Sequence, residues 1–201
     1  VKEEAMGGIR VMNDYILFPS DRDGHMHLYL YNIDGRFIRQ IEKGKYDVDE
    51  VYGFDETTGK TYFQAAAKTP MQREIYVADK NGKVTCLTTK DGWNSAVFSG
   101  DYKYFLNNWS DRNSPYSYAI YNNKGHIVRE VLNNDALIKD MAKYDLPTRD
   151  FFKFTTSEGV QLNGWIVKPK NFDPNKKYPV IFYQYSGPGS QQVVDRWTLG
   201  A

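Results

Sequence analysis

Three strands of this chain end in the same punctuation, and that repeat limits the possible folds more than any other feature. The segments are Leu28-Tyr29-Leu30-Tyr31-Asn32-Ile33-Asp34-Gly35-Arg36, Ile75-Tyr76-Val77-Ala78-Asp79-Lys80-Asn81-Gly82-Lys83 and Tyr118-Ala119-Ile120-Tyr121-Asn122-Asn123-Lys124-Gly125-His126. Each pairs an aromatic and β-branched run with a turn containing Asx and Gly, the signature of a β-hairpin. Gly35 to Gly82 is 47 residues and Gly82 to Gly125 is 43. A period of about 40 to 50 residues is that of a four-stranded propeller blade. Helical repeats would instead carry a 3.6-residue hydrophobic period, which is missing here.

Each repeat also has a strand before the hairpin: Tyr15 to Phe18, Thr61 to Ala65 and Tyr102 to Leu106. Polar, Pro- or Gly-rich stretches join that strand to the next: Ser20-Asp21-Arg22-Asp23-Gly24, Lys68-Thr69-Pro70 and Ser110-Asp111-Arg112-Asn113-Ser114-Pro115. The order strand, loop, strand, Gly turn, strand is that of a blade meander, with a β-sandwich as the competing architecture. The period stops after Asn134. Asn133 to Tyr144 then predicts a short connecting helix, with Asn134 or Asp135 as N-cap, Leu137, Met141 and Tyr144 on one face, and Leu146-Pro147 as the stop.

Beyond Pro147 the pattern changes. Asp150 to Thr155 and Gln161 to Pro169 predict a hairpin about Gly159. Tyr178-Pro179-Val180-Ile181-Phe182-Tyr183-Gln184-Tyr185 is a nearly continuous apolar run, which predicts a strand covered on both faces in an α/β sheet. It feeds the turn Ser186-Gly187-Pro188-Gly189-Ser190.

Composition excludes several classes. With 16 Tyr, 11 Phe and 4 Trp in 201 residues, the chain has the apolar material for a core and is not a disordered segment. The 26 Lys and Arg against 25 Asp and Glu leave a net charge of +1, with no basic block to track a phosphate backbone, so nucleic acid is not an expected partner. Cys86 stands alone, which rules out an internal disulfide and a cysteine zinc cage, and its alternating context suits a core thiol. Mean hydropathy is −0.64, and no run reaches the roughly 20 apolar residues of a membrane span. The opening Val1-Lys2-Glu3-Glu4 has no Met and no charged-then-apolar leader, so either a targeting segment has been removed or the chain is a piece of something longer. The ending at Trp197-Thr198-Leu199-Gly200-Ala201 favours the second expectation.

The segments Ser20-Asp21-Arg22-Asp23-Gly24 followed by His27-Leu28-Tyr29, Phe98-Ser99-Gly100-Asp101, and above all Lys177-Tyr178-Pro179-Val180 through Tyr185-Ser186-Gly187-Pro188-Gly189-Ser190-Gln191 carry a resemblance. On them the chain resembles the dipeptidyl peptidase IV branch of the prolyl oligopeptidase family of serine peptidases, in its bacterial form. The resemblance implies a mainly β fold: the C-terminal blades of a β-propeller, followed by the first strands of an α/β-hydrolase domain. The matching divisions are 1–134 for about three blades, 135–149 for a connecting helix and linker, and 150–201 for the start of the catalytic domain. It further implies removal of Xaa-Pro or Xaa-Ala dipeptides from peptide N-termini, no cofactor or metal, a homodimer for the full-length protein, and a periplasmic or secreted location. Tyr185 matches the family's Tyr whose hydroxyl serves the oxyanion hole.

The departures are as informative. An α/β-hydrolase needs a nucleophile on Gly-x-Ser-x-Gly, then an acid, then a His. No Gly-x-Ser-x-Gly occurs, and His25, His27 and His126 all precede the predicted sheet. Ser186 and Ser190 come before any elbow and are not expected to be nucleophiles. Glu3-Glu4 is an accidental look-alike of the family's ammonium-binding Glu pair. The chain by itself is therefore expected to hydrolyse nothing. His25-x-His27 lacks a third metal ligand, Asp21-x-Asp23-Gly24 lacks the closing acid of a calcium loop, and Gly187-Pro188-Gly189-Ser190 lacks the Lys of a phosphate loop. Trp93, Trp109, Trp165 and Trp197 read as packing anchors. The alternative function is a non-catalytic propeller that binds peptides or glycans through Tyr-rich loops.

Overall fold

The computed structural model describes residues 8–144, 146–185, 187 and 189–198. Glu3, Glu4 and Ser186 lie outside them. Alternating strands and Gly turns give three antiparallel four-stranded meanders, each paired in chain order. The first holds β1 (Arg10–Val11), β2 (Tyr15–Ser20), β3 (His27–Asn32) and β4 (Phe37–Gln40). The second holds β5 (Val48–Asp55), β6 (Lys60–Ala65), β7 (Glu74–Ala78) and β8 (Val84–Cys86). The third holds β9 (Trp93–Phe98), β10 (Tyr104–Ser110), β11 (Ser117–Asn122) and β12 (Ile127–Leu132). These are the blades expected from the 47- and 43-residue spacings, with β1, β5 and β9 added as a first strand to each.

The turns between the third and fourth strands are copies of one another. Gly35, Gly82 and Gly125 each have φ of +82°, a conformation open to glycine at little steric cost. Their N–H groups donate to Asn32 O, Asp79 O and Asn122 O at 2.9, 3.0 and 3.0 Å. The side-chain Oδ1 of the same Asn or Asp accepts from the N–H four residues on, of Arg36, Lys83 and His126. The Asx side chain thus mimics backbone, and the left-handed glycine reverses the chain without splaying the strands.

Strand periodicity sorts side chains onto two faces, and the middle blade is covered on both. Phe63, Ala65, Tyr76 and Ala78 pack with Leu17, Leu28, Leu30 and Ile41 of the first blade. From the opposite face, Tyr62 and Ile75 pack with Phe105 and Tyr121 of the third. Stacked rings continue that second core, from Phe98 to Phe105 at 4.9 Å and Phe105 to Tyr121 at 5.1 Å between centroids. Cys86 sits half-buried at the edge of the first core, with Sγ 3.2 Å from Thr88 O. Strand β10 begins at Tyr104 rather than Tyr102, because the Ser99–Asp101 turn runs on: Tyr102 has φ of +54° and donates its N–H to Ser99 O at 2.9 Å.

The connecting helix α1 (Asp135–Met141) is where expected and has Asn134 at its N-cap position, but that side chain makes no cap bond. Asn134 has φ of +60°, and its side-chain amide donates to Tyr116 O instead of serving the helix. Asn133 Oδ1 accepts the Asp135 N–H at 3.1 Å in its place. Leu137 and Tyr144 are exposed and Met141 is half-buried, so the predicted apolar face is largely open to solvent. The predicted hairpin forms as β13 (Arg149–Thr155) and β14 (Gln161–Val167), turning at Gly159.

Residues 178–185 correct the sequence expectation. They form no strand, and Ile181 and Phe182 are 96% and 91% exposed. A strand buried on both faces needs neighbours to take its N–H and C=O groups and helices to cover its sides. No described segment does either.

The turn geometry yields a test. Alanine at Gly35 would meet nothing within 4 Å, whereas at Gly125 its Cβ would come within 2.8 Å of Leu87 O at the same φ. Gly35→Ala is expected to cost about 1 to 2 kcal/mol from backbone strain alone. Gly125→Ala should cost about 1 kcal/mol or more beyond that, because rigid backbone must move. Denaturant unfolding of the two variants measures the difference; equal losses would contradict it.

Candidate functional site

Loops joining second to third strands leave a meander at one end, so residues 66–73 of the second blade and 111–116 of the third lie side by side. Arg73, at the end of the first of these loops, is buried. Its Nη1 donates to Pro70 O and Gln72 O, both at 2.8 Å, and its guanidinium pairs with Asp49 of β5. The same group lies 4.7 Å from the centre of the Trp93 ring on β9. Its backbone N–H donates to Gly92 O at 3.0 Å, and its carbonyl accepts from Asn94 N at 2.9 Å. One side chain therefore joins two blades. Burial pushes the Asp49 carboxyl above its ordinary range, and the positive charge of Arg73 opposes that rise.

The segment that follows Tyr185 is seated on this pair of loops. Gln191 Oε1 accepts from Arg73 Nη2 at 2.8 Å. Asp195, only 4% exposed, accepts from Gln72 Nε2 at 2.8 Å, from Arg112 N at 3.0 Å and from Arg112 Nη1 at 3.3 Å. Its own N–H donates to Met71 O at 2.8 Å. Farther on, Trp197 N donates to Ser110 Oγ at 3.1 Å, Tyr116 Oη donates to Trp197 O at 3.0 Å, and Arg149 Nη2 donates to Thr198 Oγ1 at 2.8 Å. A stretch without regular secondary structure is thus held by side chains 49 to 123 residues away in sequence.

Tyr185 stands at the start of this segment, 61% exposed. Its ring lies against the backbone of Gly187, where an added Cβ would come within 2.8 Å of Cε1 and 3.0 Å of the hydroxyl oxygen. Ser190 donates its N–H to Gly187 O at 3.2 Å, and its Oγ accepts from Gln192 Nε2 at 2.8 Å, so it closes the turn. No histidine is brought to either residue. His27 is buried in the first blade with Nδ1 2.8 Å and 3.0 Å from the two oxygens of Glu42, and His25 faces Asp47 at 3.5 Å. Among the described residues no group of three or more His, Cys, Asp or Glu converges as a metal site. Asp23 accepts from Tyr29 Oη at 2.7 Å, and Gly24 donates to Asp21 O, so the acidic stretch is a turn.

Three of the four Trp residues, Trp93, Trp109 and Trp165, serve as platforms for cations. Arg73 and Arg196 approach Trp93, Lys90 approaches Trp109 at 4.5 Å, and Arg149 approaches Trp165 at 4.9 Å. Sequence reasoning missed Arg73, Arg112 and Asp195. The loop positions of the two arginines were visible, but partners so remote in sequence leave no local pattern.

Glu74, next to Arg73, is fully buried. Tyr76 Oη donates to its Oε2 at 3.1 Å, and Lys68 Nζ is 3.9 Å from Oε1. Burial pushes its carboxyl above the ordinary value of 4.5, against the pull of Tyr76 and Lys68. The folded state therefore holds this proton more tightly than the unfolded chain does. The stability this confers is complete below pH 4.5 and is lost as pH rises through the raised value. Glu74→Gln, which cannot ionise, should show a higher Tm than the parent near pH 8, with the gap closing below pH 4.5. Thermal melts across pH check this; a constant gap would refute it.

Comparison with known proteins matches the same regions. Residues 5–116 match the family model described as the dipeptidyl peptidase IV N-terminal region. The dipeptidyl peptidase 4 of Arthroderma otae is 33% identical over 189 residues, covering 92% of this chain and 24% of that protein. That of Trichophyton rubrum is 31% identical over the same span. The crystal structure of Porphyromonas gingivalis dipeptidyl peptidase 4 superposes with a TM-score of 0.93 at 35% identity, over 98% of this chain and 28% of that one. The chain spans about a quarter of the length of these relatives.

Proposed function

The chain belongs to the dipeptidyl peptidase IV family, and from that premise we propose that it contributes three propeller blades and an oxyanion donor to a serine exopeptidase releasing Xaa-Pro or Xaa-Ala dipeptides. The observation that carries the reading is Tyr185: it opens a family-type Tyr-Ser-Gly-Pro motif and is exposed, while Asp195 farther on is bonded to two blades. In this reading residues 1–134 form the partial propeller, 135–149 the connection and 150–201 the opening of the α/β-hydrolase domain. Peptide is the substrate, and the full-length protein is a periplasmic or secreted homodimer.

The chemistry follows from charge development. When a serine hydroxyl attacks the scissile carbonyl, the carbonyl oxygen gains negative charge, and a donor fixed at that position stabilises the transition state more than the ground state. A phenol on a short backbone turn supplies such a donor. The nucleophile and its base are not among the residues of this chain, which has no Gly-x-Ser-x-Gly and places all three histidines before residue 127.

An aminopeptidase assay with a Gly-Pro chromogenic amide tests the reading, run on this chain and on the longest reading frame that contains it. Activity only in the longer product is expected, and activity in neither would favour a peptide- or glycan-binding propeller. In the active product, Tyr185→Phe should lower kcat by about 100-fold or more with little change in KM, since the hydroxyl serves the transition state. An unchanged kcat would remove Tyr185 from the mechanism.

A further inference from the structure

The geometry points to Asp195 as a positioning residue for Tyr185, acting through a clasp that the blades close on the loop between them. The inference rests on the proposed role of Tyr185 and adds what holds it in place.

Among the described residues that follow Tyr185, 189–198 form no strand or helix. Gly189 takes φ of +75°, and Ser190 donates back to Gly187 O. A ring on such a turn is only as well placed as the turn's ends. The downstream end is tied at several points, of which Gln191 and Asp195 lie nearer to Tyr185 than the contacts of Trp197 and Thr198. At Gln191 the amide is gripped on both sides: Oε1 accepts from Arg73, and Nε2 donates to Pro70 O and to Val193 O at 3.0 Å.

Of these two ties Asp195 is the stronger, because its carboxylate brings charge where Gln191 brings a neutral amide. Its two carboxylate oxygens divide between the blades: Oδ2 takes Gln72 of the second, and Oδ1 takes the backbone and guanidinium of Arg112 in the third. Arg112 is in turn held by Nε donating to Arg149 O at 3.0 Å and by the Phe151 ring 4.7 Å from its guanidinium, both on β13. The clasp therefore connects the two blades, the hairpin and the Tyr185 segment. A charge-assisted bond to a partly buried arginine is stiffer and more directional than a neutral one. Loss of the Asp195 charge leaves the Gln191 contacts as the main tie and lets the phenol wander by fractions of an ångström. An oxyanion donor loses its effect over such distances, because its bond must be ready where charge develops.

The test is a double-mutant cycle in the longest reading frame that contains this chain, with the Gly-Pro chromogenic amide as probe. Asp195→Asn should lower kcat about 10- to 100-fold while KM changes less than about twofold. In the Tyr185→Phe background the same substitution should have no further effect on kcat, because the hydroxyl it positions is gone. Gln72→Ala, which removes one neutral bond and leaves the Arg112 contact, should give a smaller kcat loss that likewise vanishes in that background. It serves in place of Asp195→Asn if that variant fails to fold. Wild-type kcat in the Asp195 or Gln72 variant, or losses that multiply with that of Tyr185→Phe, would overturn the clasp and leave the Tyr185 reading intact. Wild-type kcat in Tyr185→Phe itself would overturn both.

Discussion

The guanidinium of Arg73 is the constraint on which most of the arrangement depends. A planar fork of five donors is an expensive group to bury, and its cost is met here only because its partners come from different elements. Asp49 offers charge from β5, Pro70 and Gln72 offer carbonyls from the loop, Trp93 offers an aromatic face from β9, and Gln191 offers an amide oxygen from the C-terminal segment. Because the fork is rigid, satisfying one partner orients the others. The second and third blades and the segment after Tyr185 are thereby referred to a single point.

Around that point the middle blade does the packing. Its inner residues alternate between two cores, so Phe63 and Ala78 belong to one interface while Tyr62 and Ile75 belong to the other. A one-residue slip would send each side chain to the opposite face, so Phe63 and Tyr62 would exchange cores whose partners and shapes differ. The register of the blades, and with it the positions of Gln72, Arg73 and Arg112 at their ends, follows from that restriction. Local turns made of Asx and left-handed glycine supply the reversals, and long-range packing supplies the placement.

The legible parts of the molecule were those in which a few neighbouring residues decide the outcome. The Gly35, Gly82 and Gly125 turns declared themselves because each needs an Asx acceptor and a residue tolerant of positive φ within five positions. The β13–β14 hairpin was visible for the same reason. Strands β1, β5 and β9 were less so: β1 is two residues long, and β5 interrupts its alternation with register shifts between Val48 and Glu50 and between Val51 and Gly53. The N-cap position of α1 at Asn134 was visible, but not that its amide goes to Tyr116 O, a partner 18 residues away. The run 178–185 has the composition of a covered strand but, among the described residues, lacks the cover.

The sequence by itself determined the three-blade repeat, the reversals, the hairpin and, through the Tyr185-Ser186-Gly187-Pro188 segment, the family, because each depends on short-range sterics and hydrogen bonding or on a contiguous motif. Only the tertiary structure decided that Arg73, Gln72 and Arg112 receive Gln191 and Asp195. Those contacts span 83 to 123 residues, and which distant charge fills a buried donor's need is settled by how the blades stack.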